Sequence, residues 1–459
     1  MEKENTMMKI KIDKIELFFV YLLLFISFYQ PVILGVRSTL YIPAFAFLLA
    51  IKTYRRYQIA GVIKSRAGNL ILGFIVIELY LLVLSLILQG NTGALLEPLH
   101  VIVCALFTYL IREYARQMSI GSQRFLYVMI NVGLTQTFIC ILMCIFPFLR
   151  RVGWKYLMSS LTTSSERAFF QSIGVFRFYG IAGPNQFLSS VGTVSALLFL
   201  LSLFGLFKTH KFRFFLTSIL LLLPAFLNAR SGVICAIFGA FILCFIFLWK
   251  EKNWKFCILT MLGIILSILL LSQVMQNEYF HNLYPDQIVK TENASIANDD
   301  GENIFDNNEL KISDTSRYNS EHWSSTVTDA TKALISGDTS SKVYEWYGGL
   351  LPGNWLLPEG NGIWFGYENI PDVTVEAGQM IGRTDAGYVQ LIWLGGIVLL
   401  LLVLFAFLFV ERANYRNTNS AMLYSMTFCV LVAGFKGNVF FQTPVVIVLL
   451  LITDSLLDT

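Results

Sequence analysis

Long apolar runs separated by short hydrophilic connectors account for most of this chain of 459 residues. A membrane-spanning helix needs roughly 20 consecutive apolar residues to cross about 30 Å of hydrocarbon. By that measure the chain is predicted to be an all-α polytopic membrane protein with about twelve transmembrane helices. The predicted spans are residues 15–35, 38–51, 69–89, 93–111, 125–149, 184–207, 213–229, 232–249, 255–274, 386–410, 419–435 and 438–455.

The first apolar run follows a basic N-terminal stretch that resembles the start of a signal peptide. The run continues to about residue 34 without a small-residue cleavage site. We therefore expect a retained first span and not a removed signal.

One long polar stretch, residues 275–385, interrupts the apolar pattern. It contains eighteen acidic and six basic residues, whereas the other 348 residues contain twelve acidic and twenty-eight basic ones. Most of the negative charge therefore lies in one loop. The chain divides into residues 1–274, with nine transmembrane helices and an outer loop at 150–183, a large acidic extracytoplasmic loop at 275–385, and three further helices in 386–459.

Basic residues cluster in alternate connectors, as is usual for cytoplasmic loops of membrane proteins. The basic set consists of the N-terminus and residues 52–66, 112–124, 208–213, 250–255 and 411–416. Alternate crossings then place the acidic loop outside and both termini in the cytoplasm. The outer loop 150–183 departs from the rule because it also holds several basic residues. Basic residues kept outside against the usual bias indicate a function there.

The composition excludes several classes of protein. With 56% hydrophobic and 14% charged residues, the chain has too little polar surface to coat a soluble globule. The pI near 8.5 reflects basic connectors, so no nucleic acid partner is expected. All seven cysteines lie in apolar runs, which argues against a disulfide framework or a zinc site. The chain lacks the phosphate-loop, dinucleotide, serine hydrolase and zinc protease motifs.

Cationic side chains on the predicted outer face are the strongest chemical signal. They are Arg177, Arg230, Arg317, Arg383 and Lys436. A guanidinium group binds phosphate oxygens through two parallel hydrogen bonds and stays charged at any physiological pH. Several of them converging at one membrane face would bind a lipid pyrophosphate. The alternative is that each side chain only reaches toward a lipid headgroup.

These elements together resemble the O-antigen and capsular polysaccharide polymerase (Wzy) group, whose broader family also contains the O-antigen ligases. The resemblance covers approximately residues 170–410. It rests on an arginine-Gly-Pro-Asn element from Arg177 to Asn185, an Arg-Ser-Gly turn from Arg230 to Gly232, Ser316-Arg317-Tyr318, the stretch GNGIWFG, and Thr384-Asp385-Ala386-Gly387-Tyr388 before a span with Gly395-Gly396.

The resemblance implies a GT-C-like glycosyltransferase in the bacterial cytoplasmic (inner) membrane that polymerises undecaprenyl-pyrophosphate-linked, or similar polyprenyl-linked, oligosaccharide repeat units. The product would be the O-antigen of lipopolysaccharide or a capsule. The acceptor hydroxyl would attack the anomeric carbon and pyrophosphate would leave, with arginines stabilising the growing charge. No cofactor or metal is expected, and a chain-length regulator protein and a flippase are the implied partners besides the bilayer.

The same resemblance distributes roles among the candidate residues. Arg230 and Arg383 would bind the pyrophosphate, with Arg177 and Arg317 assisting. Asp385 is the first choice for the carboxylate that takes the acceptor proton, although it would alternatively only orient Arg383. Further substrate-binding candidates, from the motifs and from aromatic rings that suit sugars, are Asn185, Lys436, Trp323, Trp364 and Tyr388.

Two other functions compete with the polymerase. A ligase joins finished polymer to another acceptor, but ligases usually have a histidine near the end of the large loop, where this chain has Thr384-Asp385. Some polymerase outer loops contain an arginine followed, after ten residues, by a glycine, and this pattern is absent here. We therefore do not predict that the two outer loops bind and release the substrate by a simple catch-and-release mechanism. A transporter or flippase predicts charged residues at several mid-membrane positions, where Glu78 is nearly alone.

Overall fold

The computed structural model describes residues 2–33, 35–53, 59–88, 95–157, 178–182, 188–228, 230–275, 357–366, 374–376, 379–381, 387–411, 420–435 and 437–457. Helices of the first half are α1 (Glu2–Tyr29), α2 (Ser38–Thr53), α3 (Ile59–Lys64), α4 (Arg66–Leu88), α5 (Leu96–Gln117), α6 (Ser122–Ile145) and α7 (Pro147–Tyr156). A 3₁₀ turn (Gly180–Ala182) follows, and then come α8 (Leu188–Thr209), α9 (Phe212–Asn228), α10 (Arg230–Glu251) and α11 (Trp254–Met275).

The remaining elements lie within and after the acidic loop. They are α12 (Gly362–Phe365), β1 (Thr374–Glu376), β2 (Gln379–Ile381), α13 (Gly387–Glu411), α14 (Ser420–Ala433) and α15 (Thr443–Leu457). The two strands form an antiparallel pair in which Val375 lies opposite Met380. Apart from this pair, the described part of the chain is helical, which confirms the predicted all-α class in outline.

A helix occupies each of the twelve predicted spans. Among the described residues, seven helices are long and apolar enough to cross a membrane. They are α4, α5, α6, α8, α10, α11 and α13. Four others, α2, α9, α14 and α15, are apolar but only 16, 17, 14 and 15 residues long. At 1.5 Å per residue, these four extend only about 21–26 Å, less than the hydrocarbon thickness of a bilayer.

Two connectors are shorter in the structure than the sequence predicts. Residues 112–124 contain the end of α5 and the start of α6, so the connector shrinks to residues 118–121. The apolar pattern ends near residue 111, but helix-forming residues such as Arg112 and Arg116 continue the helix beyond it. The turn predicted around Arg230 is also narrower, because α10 begins at Arg230 itself.

Two helices form the centre of the bundle. Residues 445–452 of α15 and residues 196–201 of α8 are almost completely buried. Helices α9 and α10 pack on α8, and α14 packs on α10. On the other side, α5 contacts α2, α4 and α15, and α4 contacts α13. By contrast, α4 and α11 expose many large apolar side chains, as helices at a lipid boundary do.

Hydrogen bonds between helix ends show which of these ends lie at the same end of the bundle. At one end, the Lys52 amine donates to the Tyr114 hydroxyl and the Lys250 amine donates to the Ser420 hydroxyl. We call this the basic end, because the described ends of the predicted cytoplasmic connectors lie there. At the other end, Gln30 exchanges hydrogen bonds with Thr443. Each contact joins helix ends that alternate crossings would place on the same side.

Helix α13 is not one straight span, as residues 386–410 were predicted to be. Gly395 and Gly396 have non-helical backbone angles, and Gly396 has φ +73° and ψ −175°. The rings of Tyr388 and Phe407 both lie within 6 Å of the Phe440 ring, at 5.7 and 5.3 Å. In a straight helix, residues this far apart in sequence would be separated by about 28 Å. The two halves of α13 therefore fold back toward each other.

The short helix α12 from the acidic loop fits into this break. A Cβ on Gly396 would lie 1.9 Å from the Trp364 carbonyl oxygen, and one on Gly366 would lie 2.6 Å from the Gly395 nitrogen. The hydroxyl of Tyr80 on α4 donates to the Gly395 carbonyl oxygen at 2.7 Å. Irregular backbone at membrane depth is tolerated only where its polar groups find partners in the protein. Tyr80 supplies one such partner.

We expect Gly396→Ala to destabilise the protein. The backbone angles at Gly396 are essentially restricted to glycine, and a Cβ would displace α12 from the break. Strain of this kind contributes about 1–3 kcal/mol, and the clash adds to it. The measurement is the midpoint of thermal unfolding in detergent, together with Trp fluorescence, because Trp364 borders the break.

Gly121→Asn is the control, since a Cβ there meets nothing within 4 Å, φ is −62°, and asparagine is favourable at this N-cap position. We expect this control to change the midpoint much less than Gly396→Ala does. Equal midpoints for Gly396→Ala and the wild type would show that α12 does not depend on the glycine pair.

Candidate functional site

The 3₁₀ turn Gly180–Ala182 packs beside the middle of α6, and not beside the end of α6 at Ile145. The amide of Gln136 donates to the Tyr179 carbonyl oxygen at 2.9 Å and accepts from the Ile181 nitrogen at 3.1 Å. Gln136 precedes the end of α6 at Ile145 by nine residues, which corresponds to about 13 Å along the helix. We call the region around this turn, at the end of the bundle opposite the basic end, the recess. Residues 178–182 form part of its floor, where Phe178, Tyr179 and Ala182 are at most 1% exposed.

The end of α9 forms the second part of the floor. The Asn228 amide nitrogen donates to the Phe178 carbonyl oxygen at 3.0 Å and to the Pro224 carbonyl oxygen at 2.9 Å. Phe178 follows Arg177 in the chain, and Asn228 lies two residues before Arg230. This hydrogen bond therefore brings together the chain neighbours of two predicted phosphate-binding arginines.

Two glycines allow α10 to begin close to α8. A Cβ on Gly232 would lie only 2.5 Å from the backbone of Gly192. Contacts this close between helix backbones are possible only where small residues meet, as is common in membrane proteins. The first turn of α10, which starts with Arg230, is thereby held against α8.

The start of α13 forms the third part of the floor. A Cβ on Gly387 would lie 2.1 Å from the Gly437 carbonyl oxygen. Asp385 precedes Gly387 by two residues and Lys436 immediately precedes Gly437, so two further predicted site positions adjoin contacting backbone. The next residue, Tyr388, donates its hydroxyl proton to the Leu431 carbonyl oxygen of α14.

The last turns of α14 connect these parts of the floor. The Phe428 ring of α14 lies 6.2 Å from the Phe238 ring of α10, and Lys250 at the end of α10 bonds to Ser420 at the start of α14, so these two helices run antiparallel. Leu431 of α14 accepts the hydrogen bond from Tyr388. The start of α10 and the start of α13 therefore lie on either side of one helix end.

Seven of the ten predicted site residues lie outside the described residues. They are Arg177, Asn185, Arg317, Trp323, Arg383, Asp385 and Lys436. For Arg230 the structure describes the backbone, at the start of α10.

The two predicted aromatic residues that are described occupy different environments. Trp364, on α12, has 54% of its surface exposed beside the α13 break. Its ring is therefore accessible, as a sugar-stacking residue needs. Tyr388 is half-buried between Phe435 and Phe440, with its hydroxyl bonded to Leu431. These contacts place Tyr388 in the packing of the floor.

The residues that hold the floor were not among the predicted site residues. Gln136 and Asn228 are buried amides within apolar helices. Such residues rarely lie in membrane spans without a structural or functional reason, so a search of apolar runs for single amides would have found them. The amide oxygens of Asn228 and Asn438 are buried and, in the described part of the chain, have no hydrogen-bond partner.

The recess combines features that suit a polar group attached to a lipid. Its floor includes the turn beside the middle of α6, and polar amides and helix starts surround it. The first turns of α10 and α13 also present backbone N–H groups, which favour anions.

We expect Gln136→Ala to release the turn at residues 178–182. The change removes two hydrogen bonds and leaves a buried carbonyl and a buried N–H without partners, which destabilises by about 2–4 kcal/mol. Unfolding in detergent measures the loss. Gln123→Ala, at an exposed position on the same helix, is the matched control and should be near neutral. If the two variants unfold alike, Gln136 does not hold the turn.

Comparison of the chain with protein-family models, with curated proteins and with solved structures found no match.

Proposed function

We propose that this protein is a polysaccharide polymerase of the Wzy type. It would join polyprenyl-pyrophosphate-linked repeat units at the outer face of the bacterial cytoplasmic membrane, with the recess as its active site. The basic end would then face the cytoplasm, consistent with the excess of basic residues in the connectors there.

The convergence of chain positions at the recess carries the proposal. The Asn228–Phe178 hydrogen bond brings the neighbours of Arg177 and Arg230 together. The contact between Gly387 and Gly437 does the same for the positions next to Asp385 and Lys436. These positions are distant in sequence, yet they border one floor. Cations collected there would bind a pyrophosphate through charge-assisted hydrogen bonds.

The proposed reaction needs only groups of this chain. The acceptor hydroxyl oxygen forms a bond to the anomeric carbon of the donor, and the bond from that carbon to the pyrophosphate oxygen breaks. The hydroxyl proton moves to the Asp385 carboxylate, and the leaving pyrophosphate takes the bonding electron pair. Arg230 and Arg383, assisted by Arg177 and Arg317, neutralise the charge that develops on the pyrophosphate.

The position of the recess at the end of the bundle opposite the basic end suits a donor of this kind. A polyprenyl chain remains in the hydrocarbon, so its pyrophosphate is delivered near the membrane surface and not in bulk water. Trp364, exposed beside the break in α13, supports the proposed role of aromatic rings in holding the repeat-unit sugars.

Replacement of Arg230 or Arg383 by alanine should abolish long polymer while the protein still reaches the membrane. Loss of a phosphate-binding guanidinium from a transition-state site lowers the rate about 10²–10³-fold. The assay is purified protein with a lipid-linked repeat unit, and polymer length is read on a gel. Arg213→Ala, at the basic end, is the control and should preserve chain length. Normal polymer from both recess variants would refute the proposal.

The products of the same assay separate the polymerase from a ligase. A ligase would transfer preformed polymer to another acceptor and would leave single repeat units unjoined. If the protein transfers long polymer but does not extend single units, it is a ligase and not a polymerase.

Asp385→Asn should reduce turnover strongly while the donor is still retained by the protein. An amide cannot take the acceptor proton, but it keeps the shape of the side chain. Single-turnover rates and donor retention are measured separately. If the variant loses donor binding and turnover in parallel, Asp385 orients Arg383 and is not the base.

A further inference from the structure

A second candidate binding site lies at the basic end of the bundle, where α6 begins. The recess lies at the other end of the bundle. The turn between α5 and α6 borders an open, shallow cavity of about 330 Å³. Its lining residues are Arg112, Arg116, Ser119, Ile120, Gly121 and Ser122. None of these residues takes part in the proposed glycosyltransferase chemistry.

The cavity owes its shape to the way in which α5 ends. The Ile120 nitrogen donates to the Ala115 carbonyl oxygen and the Ser119 nitrogen donates to the Arg116 carbonyl oxygen, both at 3.0 Å. This pattern is a Schellman motif, which requires a left-handed residue after the helix. Ser119 takes that position with φ +56°, where glycine is usual. The motif turns the chain sharply, so α6 starts beside the last turn of α5.

The start of α6 brings partial positive charge to the cavity. Gly121 is the N-cap residue of this 24-residue helix and has no side chain to accept hydrogen bonds from the first N–H groups. The first turn of any helix has N–H groups without intrahelical partners. These groups and the helix dipole favour an anion at this position.

Arg112 adds a formal positive charge whose position is constrained. Only 2% of its surface is exposed, although it is a cavity-lining residue. Its guanidinium donates to the Ser122 hydroxyl and lies 4.9 Å from the centre of the Phe125 ring. A residue that merely extends toward lipid headgroups would be exposed and mobile. Arg112 is instead held in place by α6.

Arg116 supplies the second guanidinium at the more exposed side. It forms an ion pair with Glu113 on the same helix, through one of its terminal nitrogens. Glu113 is the acidic partner in this pair and is not among the cavity-lining residues. The lining residues therefore bring two guanidinium groups and a helix start together, while the Glu113 carboxylate, just outside the lining, balances one of the two positive charges.

We propose that this cavity binds a phosphate group. Two guanidinium groups, a hydroxyl and a helix start match the oxygens of a phosphate ester or of inorganic phosphate. The group could belong to the head of an anionic phospholipid or to a soluble phosphate. The proposal does not depend on the proposed polymerase, because the recess lies at the other end of the bundle.

The test compares Gly121→Asp with Gly121→Asn in the full-length protein. A Cβ at this position meets nothing within 4 Å, and both side chains are good N-caps, so both variants should fold as well as the wild type. They differ by one negative charge at the edge of the cavity. The aspartate should weaken phosphate binding about tenfold or more, and the asparagine should not.

Two probes distinguish the sources of phosphate. In the first arm, native mass spectrometry measures retention of phosphatidylglycerol against phosphatidylcholine from an equimolar mixture. In the second arm, equilibrium dialysis measures binding of inorganic phosphate. We expect the wild type and Gly121→Asn to bind in at least one arm, and Gly121→Asp to lose that binding. Equal binding by the two variants, or no binding by the wild type in either arm, would overturn the proposal.

Discussion

The need to satisfy backbone polar groups within the hydrocarbon layer shapes this structure more than any other constraint. Water cannot reach an irregular segment buried among apolar helices, and each unsatisfied group there is costly. The chain nevertheless leaves helical geometry at residues 178–182 and at Gly395–Gly396. Gln136, Asn228 and Tyr80 provide the missing hydrogen bonds at these places. A few polar side chains within apolar helices thus permit the recess and the broken helix to exist.

Close contacts at glycine residues also hold the helices together. The contacts of Gly232 with Gly192 and of Gly387 with Gly437 bring backbones closer than any side chain would allow. In a bilayer, helices gain no hydrophobic advantage from leaving lipid for each other, so close packing and hydrogen bonds hold them together. The same contacts fix where α10 and α13 begin. They therefore also decide which chain positions border the recess.

The two ends of the bundle have different chemical characters. The recess has buried amides, close backbone contacts and a helix broken by an element of the acidic loop. The basic end has lysines and arginines that bond to hydroxyls and lie over aromatic rings, such as Lys52 beside Tyr114 and Arg112 beside Phe125. The polarity of the proposed enzyme follows from this difference. Lipid-linked substrate would enter at the recess, whereas a phosphate would bind at the basic end.

Hydropathy alone determined the membrane class and the positions of the helices, because a long apolar segment has no other stable location. It also identified the basic connectors. It did not reveal the break in α13, since an apolar run that contains Gly395-Gly396 is compatible with either a straight or a broken helix. The break exists because α12, about thirty residues earlier, occupies it. The sequence likewise could not show that Asn228 meets Phe178, because that contact depends on how α9 packs. Local periodicity specifies helices one at a time, whereas only the packed bundle decides which of their ends meet.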